Sequence, residues 1–151
     1  MIKGIHHMAI STGNLKRLLN FYCDVLGFQV VMELDWAPAT ELGDQLDKII
    51  GLKNTAAKVV MVQLGGVNVE IFEYSSPTPK PKDPEWRVCD HGYTHLCMEV
   101  DDIDAEYDRL SNAGMTFHGP PPPPYNGMRA LYGRDPDGNV VEILQIDADA
   151  S

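Results

Sequence analysis

Gly138-Asn-Val-Val-Glu142-Ile143, near the end of the chain, decides the fold because the first half contains a counterpart, Gly66-Val-Asn-Val-Glu70-Ile71. In each stretch a glutamate follows a glycine by four residues and stands among Val and Ile side chains. A carboxylate within an apolar strand is unfavourable unless it is paired or binds a metal ion. The same unusual feature occurs twice, which indicates an internal repeat.

The repeat extends back to the start of each half. A histidine precedes the first residue of a predicted helix by seven positions in both halves, and precedes the glycine that ends this helix by 20 and 19 positions. These landmarks are His7, Asn14 and Gly27 in the first half and His95, Asp102 and Gly114 in the second. We therefore predict one domain over residues 1–151 with an α+β fold. It contains two tandem βαβββ modules, at 4–74 and 92–146, and a proline-rich linker at 75–91.

Hydrophobic periodicity assigns the elements within each module. Apolar residues at helical spacing predict a helix between Leu15 and Leu26, which Gly27 ends in a left-handed conformation. The first module has predicted strands at 4–11, 28–34, 58–64 and 67–74, with a short helix near 46–50, and its first strand is expected to be buried. The second has predicted strands at 92–100, 115–118, 128–133 and 139–146, with a helix that begins at Ile103 and stops before Gly114. Pro120 to Pro124 is expected to form a spacer or a loop wall.

Composition limits the functions that this chain can have. A length of 151 residues suits one domain, and a net charge of -10 with only 12 Lys and Arg argues against nucleic acids or membrane surfaces as partners. The three cysteines show no Cys-x-x-Cys spacing, so their thiols are expected to behave as small hydrophobic groups in a reducing compartment. Because neither a signal peptide nor an apolar run of about 20 residues is found, we expect a cytoplasmic protein.

The four repeat-matched side chains are predicted to bind one divalent metal ion. They are His7, Glu70, His95 and Glu142, and they converge if the two modules pack with approximate two-fold symmetry. Two imidazoles and two carboxylates suit Zn, Ni, Co, Mn or Fe(II), and leave two positions of an octahedral ion for water or substrate oxygens. The remaining histidines have no counterpart in the repeat and are expected to be structural or on the surface: His6, His91 and His118.

Five motifs extend over nearly the whole chain: Ile5-His-His7-Met-Ala-Ile10, Asn20-Phe-Tyr-Cys-Asp-Val-Leu-Gly27-Phe28, Val69-Glu70-Ile71, Thr94-His95-Leu96, and Arg134-Asp-Pro-Asp-Gly-Asn-Val-Val-Glu142-Ile143. Together they resemble the vicinal oxygen chelate superfamily, which includes glyoxalase I, methylmalonyl-CoA epimerase, extradiol dioxygenases and fosfomycin-resistance proteins. The resemblance implies a curved mixed sheet whose cleft holds the metal ion, a small-molecule substrate with vicinal oxygens, and a homodimer. It also implies that Glu142 is both a ligand and the catalytic base, with Glu70 as its symmetry partner.

The set of two histidines and two glutamates is most similar to glyoxalase I and methylmalonyl-CoA epimerase. The resemblance therefore predicts a glyoxalase-like lyase or isomerase, which transfers a proton next to a metal-chelated carbonyl of a small oxygenated substrate. Glyoxalases commonly carry a basic residue where this chain has Met32, and an asparagine where it has Tyr74. A glutathione hemithioacetal is therefore not the expected substrate.

Two alternative functions stay open. Fe(II) extradiol-type ring-cleaving dioxygenases place a tyrosine ten residues before their metal-binding glutamate, and Tyr132 stands at that distance from Glu142. These enzymes also carry a second-sphere histidine on an inner strand, whereas residues 58–64 contain none. The other alternative is a metal-free ligand-sequestering protein, which would not need the four ligand residues.

Side chains on loops and strand ends are candidates for the walls of a substrate site. Arg129 could pair with a substrate carboxylate or phosphate through a bidentate contact. The other candidates are polar or aromatic: Trp36, Tyr125, Asn126 and Tyr132.

Overall fold

The repeat is present in the computed structural model as two four-stranded sheets, each accompanied by its own helices. The structure describes residues 1–147. The chain divides into unit one, Met1–Pro81, and unit two, Lys82–Ser151. The prediction of an α+β fold with two repeated modules is confirmed.

Unit one contains four strands and two helices. Its elements are β1 (Met8–Ser11), α1 (Leu15–Asn20) with a π-helical continuation (Phe21–Val25), β2 (Gln29–Trp36), α2 (Glu41–Ile50), β3 (Ala56–Leu64) and β4 (Val67–Ser76). The strand order is β1-β4-β3-β2, with β1 parallel to β4 and the other neighbours antiparallel. β1 is therefore an edge strand.

Unit two repeats this topology with shorter elements. It contains β5 (His95–Glu99), α3 (Ile103–Asn112), β6 (Thr116–Phe117), β7 (Met128–Arg134) and β8 (Val140–Ile146). The order is β5-β8-β7-β6, and β5 is parallel to β8. The proline-rich loop between β6 and β7 takes the topological place that α2 has in unit one.

Local sequence signals set the helix boundaries, as predicted. The side chain of Asn14 accepts a hydrogen bond from the backbone N–H of Arg17, and Asp102 accepts two from the first turn of α3. Gly27 and Gly114 follow the helices with φ values of +83° and +96°, in the left-handed region that glycine adopts readily. No helix within residues 1–147 is long and apolar enough to cross a membrane.

Each unit buries one face of its sheet beneath its first helix. Fully buried side chains include Leu18 and Tyr22 with Val62, Val69 and Ile71 in unit one, and Ile103 and Leu110 with Val141 and Ile143 in unit two. Successive residues of a strand point to opposite faces. Glu70 and Glu142 therefore lie on the faces turned away from α1 and α3.

The first strand differs from the prediction. It was expected to be buried over residues 4–11, but β1 covers only Met8–Ser11 and its side chains are mostly exposed. β1 has a partner strand on one side only, β4, and of its four residues Ile10 is partly buried while the other three are exposed. Ile5 is 93% exposed, and hydrophobicity alone did not reveal this edge position.

Helix α2 is longer than the short helix predicted near 46–50, and it packs on the Glu70 face of its sheet. Thr40 caps it by accepting a hydrogen bond from the backbone N–H of Gly43. Leu46 and Ile50 pack against a cluster of Trp36, Ala57, Val59, Phe72 and Tyr74. Trp36 is buried here and donates from Nε1 to the hydroxyl of Thr55 at 2.9 Å. Trp36 is therefore a core residue, which corrects its predicted role as a substrate wall.

Candidate active site

The first His–Glu pair lies at the sheet edge of unit one. Ala9 on β1 is the register partner of Glu70 on β4, and His7 precedes Ala9 by two residues, on the same face. The Nε2 atom of His7 is 3.2 Å from the Oε2 atom of Glu70. The glutamate side chain is only 16% exposed, so its carboxylate meets an imidazole in a largely shielded position.

The second pair has the same construction in unit two. Cys97 on β5 is the register partner of Glu142 on β8, and His95 precedes Cys97 by two residues. The Nε2 atom of His95 is 3.0 Å from the Oε2 atom of Glu142, whose side chain is also 16% exposed. The sequence repeat therefore corresponds to a repeat of side-chain geometry.

Each pair has the spacing of two neighbouring ligands on one metal ion. Metal–nitrogen and metal–oxygen bonds of about 2.1 Å, at a right angle, place the two ligand atoms about 3 Å apart. The separations of 3.2 and 3.0 Å agree with this value. Within residues 1–147, no group of three or more His, Cys, Asp or Glu side chains is placed to hold a metal ion. Each unit by itself thus provides two candidate ligands.

Each candidate ligand histidine contacts the residue that precedes it. The Nδ1 atom of His95 is 2.8 Å from the hydroxyl of Thr94, and the Nδ1 atom of His7 is 2.8 Å from Nδ1 of His6. A hydrogen bond at Nδ1 fixes the orientation of a ring and leaves the Nε2 lone pair available to a metal ion. His6, which was expected to be structural or on the surface, therefore lies directly against a ligand candidate.

A row of polar side chains crosses the sheet of unit two beside the second pair. Cys97, Glu142 and Tyr132 are register partners across β5, β8 and β7, so they lie on one face. His118 follows β6 by one residue and extends the row beyond Tyr132. The ring centroids of Tyr132 and His95 are 4.8 Å apart, so the tyrosine packs against the candidate ligand.

Glu142 changes the ionisation of its neighbours in this row. Burial, the hydrogen bond to Glu142 and the charges of Glu142 and Glu99 raise the pKa of the Cys97 thiol to about 11. The thiol is therefore protonated at neutral pH. Burial and the same carboxylate also raise the pKa of Tyr132, which keeps its phenol neutral.

The equivalent row in unit one is mostly apolar. Met32, Met61 and Ala9 are the side chains in register with Glu70 across β2, β3 and β1. Tyr74 lies on the same strand and face as Glu70. Burial raises the pKa of its phenol, and the charge of Glu70 raises it further. The two pairs are alike, but only the pair in unit two has further hydrogen-bonding groups in its row.

A cavity of about 550 Å³ opens over the polar row of unit two. Its polar walls are His118, Tyr132 and Glu142, and its apolar walls include Pro120, Pro122 and Leu131. The proline-rich loop is thus a wall, one of the two roles predicted for it. No Lys or Arg is among the described residues that line this cavity.

The model of the glyoxalase/bleomycin resistance protein/dioxygenase superfamily matches residues 4–143. The chain belongs to this superfamily. The family resemblance inferred from the sequence motifs is thereby confirmed. The 2-epi-5-epi-valiolone epimerase of an Actinomyces species is 31% identical over 153 residues, covering 97% of this chain and 81% of the relative.

Solved structures of the glyoxalase superfamily have the same fold. A glyoxalase family protein from Bacillus cereus matches with a TM-score of 0.86 at 18% identity, covering 98% of this chain and 97% of its own. A fosfomycin resistance protein from Listeria monocytogenes, complexed with Mn(II) and a sulfate ion, matches with a TM-score of 0.62 at 16% identity. That match covers 99% of this chain and 98% of the Listeria chain.

In this glyoxalase superfamily member, Arg129 is engaged within the protein. Its two terminal nitrogens donate to the carboxylate of Asp104 on α3 at 2.6 and 2.9 Å, and its Nε donates to the carbonyl of Pro122 at 3.0 Å. Strand alternation also puts Arg129 on the face opposite Tyr132. In this structure Asp104 and the Pro122 carbonyl occupy the guanidinium of Arg129, and its role as a substrate-anion contact stays a prediction.

Two other predicted wall residues lie in the turn before β7. Tyr125 is 77% exposed and forms backbone hydrogen bonds with Met128, and Asn126 has a φ of +50° between them. Neither lines the cavity described above. Tyr132 does, so of the five predicted walls it is the one that this cavity includes.

Two residues of the polar row were not predicted from the sequence. Cys97 was assigned to the hydrophobic interior, but it is exposed and contacts Glu142. Its separation of two residues from His95 on one strand was the signal that could have revealed it. His118 carried no such signal, because its place beside Tyr132 depends on the β6–β7 register.

Proposed function

We propose that this protein is a metal-dependent isomerase of the epimerase type. It would remove and return a proton at the carbon next to a carbonyl group of a small oxygenated substrate. In this proposal one divalent ion is bound by His7, Glu70, His95 and Glu142. When bound, the ion acts as a Lewis acid on the carbonyl oxygen, which makes the neighbouring C–H more acidic. The observation that carries the proposal is the duplicated His–Glu pair with the separations of metal ligands.

Two observations favour epimerisation over the glyoxalase reaction on a glutathione adduct. The relative at 31% identity, of which this chain covers 81%, is named 2-epi-5-epi-valiolone epimerase. The row beside Glu70 contains Met32 and Met61, so it offers no charged contact for a glutathione carboxylate. A glyoxalase-type lyase would use the same proton transfer on a different substrate.

Glu142 is the proposed base, and Glu70 the second carboxylate ligand. Glu142 lines the cavity, and its register partners Cys97 and Tyr132 lie on the same face of the sheet. Glu70 is accompanied in its row by methionine and alanine side chains. A base must lie within reach of the proton that it transfers, and the Glu142 side is where the cavity provides room for a substrate.

The metal ion is proposed to be Mn, Fe(II), Co, Ni or Zn, since two imidazoles and two carboxylates suit each of them. The related Listeria fosfomycin resistance protein contains Mn(II). This makes Mn(II) the first ion to test.

We further propose that the active protein is a homodimer. Both His–Glu pairs lie at edge strands, β1 and β5, whose outer backbone groups lack a partner strand within their own sheets. Ile5 and Met8, beside the first pair, are exposed apolar side chains. Burial of such an edge against a second copy would satisfy both features.

The test combines metal reconstitution with proton exchange. The metal-free protein is reloaded with each ion and incubated with 2-epi-5-epi-valiolone in D₂O, and NMR measures deuterium at the carbon next to the carbonyl. We expect exchange with Mn(II) and also with the redox-inert ions Zn or Ni. Glu142→Gln should abolish exchange and retain most of the metal in elemental analysis, while the exposed linker control Glu85→Gln should preserve both. Exchange by Glu142→Gln at the wild-type rate would transfer the role of base to Glu70.

A ring-cleaving dioxygenase is the second candidate, favoured by the packing of Tyr132 against His95. This reaction requires Fe(II) and oxygen, whereas proton exchange proceeds with Zn or Ni and without oxygen. Anaerobic exchange with Zn or Ni would reject the dioxygenase. Activity on catechols that depends on both Fe(II) and oxygen would reject the isomerase.

A further inference from the structure

The cavity of unit two combines hydrogen-bonding groups with apolar walls and offers no cation. His118, Tyr132 and Glu142 contribute its polar groups, and Pro120, Pro122 and Leu131 contribute apolar surface. Ligand sites of this kind bury an apolar body and orient it through a few polar contacts. The chemistry of the lining therefore limits the substrates that can bind here.

The cations around this cavity are already engaged. Arg129 is held by Asp104 and the carbonyl of Pro122. Arg134, on the same face as Tyr132, donates to the carbonyls of Gly138 and Trp86 at 2.8 and 2.9 Å. Binding a phosphate or carboxylate requires Lys or Arg, or several N–H donors, directed at the anion. Away from the proposed metal ion, the described side chains of this cavity therefore suit an uncharged part of a ligand.

Lys82 is the remaining cation near the β7–β8 turn, and it too is held in place. Its ammonium group donates to the carbonyl of Gly138 and to the side chain of Asn139, both at 3.2 Å. It also lies over the ring of Trp86 at 4.8 Å. It is thus committed to the loop and turn of unit two.

His118 is the group at the far end of the polar row from Cys97. Among residues 1–147 it has no hydrogen-bond or ion-pair partner, yet it lines the cavity together with Tyr132 and Glu142. Neighbouring strands are about 4.8 Å apart, so backbone positions two strands apart, such as those of His118 and Glu142, are separated by about 10 Å. Tyr132 stands between them in the row, so a ligand that contacts both His118 and Glu142 lies over the tyrosine side chain.

We propose that this cavity binds an uncharged, hydroxyl-bearing cyclic or short-chain ketone, and that His118 determines specificity by a hydrogen bond to a substrate hydroxyl remote from the reacting carbon. This inference rests on the proposed function, whose reacting carbon lies at Glu142. The imidazole adds affinity for a hydroxyl, and no Lys or Arg among the described lining residues offers a charge to a phosphate remote from the proposed metal ion.

Binding is tested first by NMR, with and without turnover. The side-chain NMR signal of His118, assigned by its loss in His118→Gln, is followed in zinc-loaded protein and in the Glu142→Gln variant. We expect 2-epi-5-epi-valiolone to shift this signal in both proteins. Calorimetry gives the ligand concentration that saturates the protein. If the His118 signal does not move at that concentration, the proposal is overturned.

Kinetics then separate a binding role from a structural one. His118→Leu should raise KM about tenfold or more and leave kcat within about twofold, because a site that hydrogen-bonds a substrate hydroxyl is left with an unmatched substrate group. His118→Gln keeps a hydrogen-bonding group, so its KM should lie close to the wild-type value. The exposed control His91→Gln should behave as wild type. An unchanged KM in His118→Leu would refute the role of His118 and leave the proposed function intact.

Charge selectivity provides the last comparison. The monophosphate ester of the same ketone should bind at least about tenfold more weakly than the free ketone, and His118→Lys should reverse the preference. Tighter binding of the ester by the wild-type protein would overturn the proposal. If Glu142→Gln exchanges protons at the wild-type rate while the substrate still shifts the His118 signal, Glu142 is not the base. The proposed contact of His118 with the substrate hydroxyl then still stands.

Discussion

Thr94 illustrates how one side chain prepares a ligand histidine. Its hydroxyl lies 2.8 Å from Nδ1 of His95, whose Nε2 lies 3.0 Å from the carboxylate of Glu142. The ring therefore has one nitrogen anchored and the other directed at its partner. Such outer contacts set both the tautomer and the direction of the lone pair that a metal ion needs.

We expect Thr94→Val to weaken metal binding about tenfold or more, because the isosteric side chain cannot anchor the imidazole. Competition with a coloured chelator measures the affinity. Thr94→Ser should retain wild-type affinity, since it keeps the hydroxyl. The strand residue Thr116, which is exposed, provides the control Thr116→Val. An unchanged affinity in Thr94→Val would show that the Nδ1 contact does not support the ligand.

The residues of the two His–Glu pairs could be predicted from the sequence because the repeat marks them twice. Cys97 and His118 could not be recognised in this way, since neither has a chemically similar counterpart in unit one. Their positions become meaningful only when the strand register places them in a row with Glu142 and Tyr132. Register depends on pairing between distant segments, which a single sequence does not specify directly.

At the scale of elements, α2 is joined to its sheet by a small polar network. Thr55 is fully buried, accepts a hydrogen bond from Nε1 of Trp36 and donates one to Asp47 on α2. The backbone N–H groups of Asn54 and Thr55 also donate to Asp47. The network links α2 to the end of β2 and to the segment that precedes β3.

Thr55→Val should destabilise the protein by about 2 kcal/mol, because it leaves the buried indole N–H without an acceptor. Urea denaturation at neutral pH measures this as a lower midpoint with an unchanged slope. Thr116→Val is again the matched control, and it should leave the midpoint unchanged. If Thr55→Val unfolds at the wild-type midpoint, the network does not contribute to stability.

The same network predicts a dependence of stability on pH. The Thr55 hydroxyl, followed by the backbone N–H groups of Thr55 and Asn54, lowers the pKa of Asp47 below its ordinary value of 3.8. A carboxyl group with a depressed pKa in the folded state stabilises the protein above its unfolded pKa, and this contribution is lost as pH falls through the folded pKa. The contribution is therefore complete above about pH 4 and lost below it.

We expect Asp47→Asn to be less stable than wild type at pH 7 and to approach wild type below about pH 4, where Asp47 itself becomes protonated. Urea midpoints at pH 7 and pH 3 give the difference between the proteins at each pH, which removes the titration of the other carboxyl groups. Asp44→Asn, exposed on the same helix, should show no such convergence. A constant difference between Asp47→Asn and wild type would contradict the assignment.

At the scale of the whole molecule, the two units have kept one feature and changed another. Both carry a His–Glu pair at an edge strand, which is why the fold and the ligand candidates could be predicted from the repeat. They differ in what covers the ligand face, which is α2 in unit one and the proline-rich loop with its cavity in unit two. We infer that unit one mainly supplies ligands and that unit two also binds the substrate.

If the protein is a homodimer whose metal site takes one pair from each chain, two inactive variants should complement each other. His7→Ala lacks a ligand in unit one and His95→Ala lacks one in unit two, so each alone should be inactive. After mixing, unfolding and refolding, half of the dimers are mixed, and one of the two sites in each mixed dimer is intact. Activity should therefore recover to about a quarter of the wild-type value. The mixture of His7→Ala with Glu70→Gln is the control, since both changes lie in unit one and no intact site can form. No recovery in the first mixture would show that each site takes all its ligands from one chain.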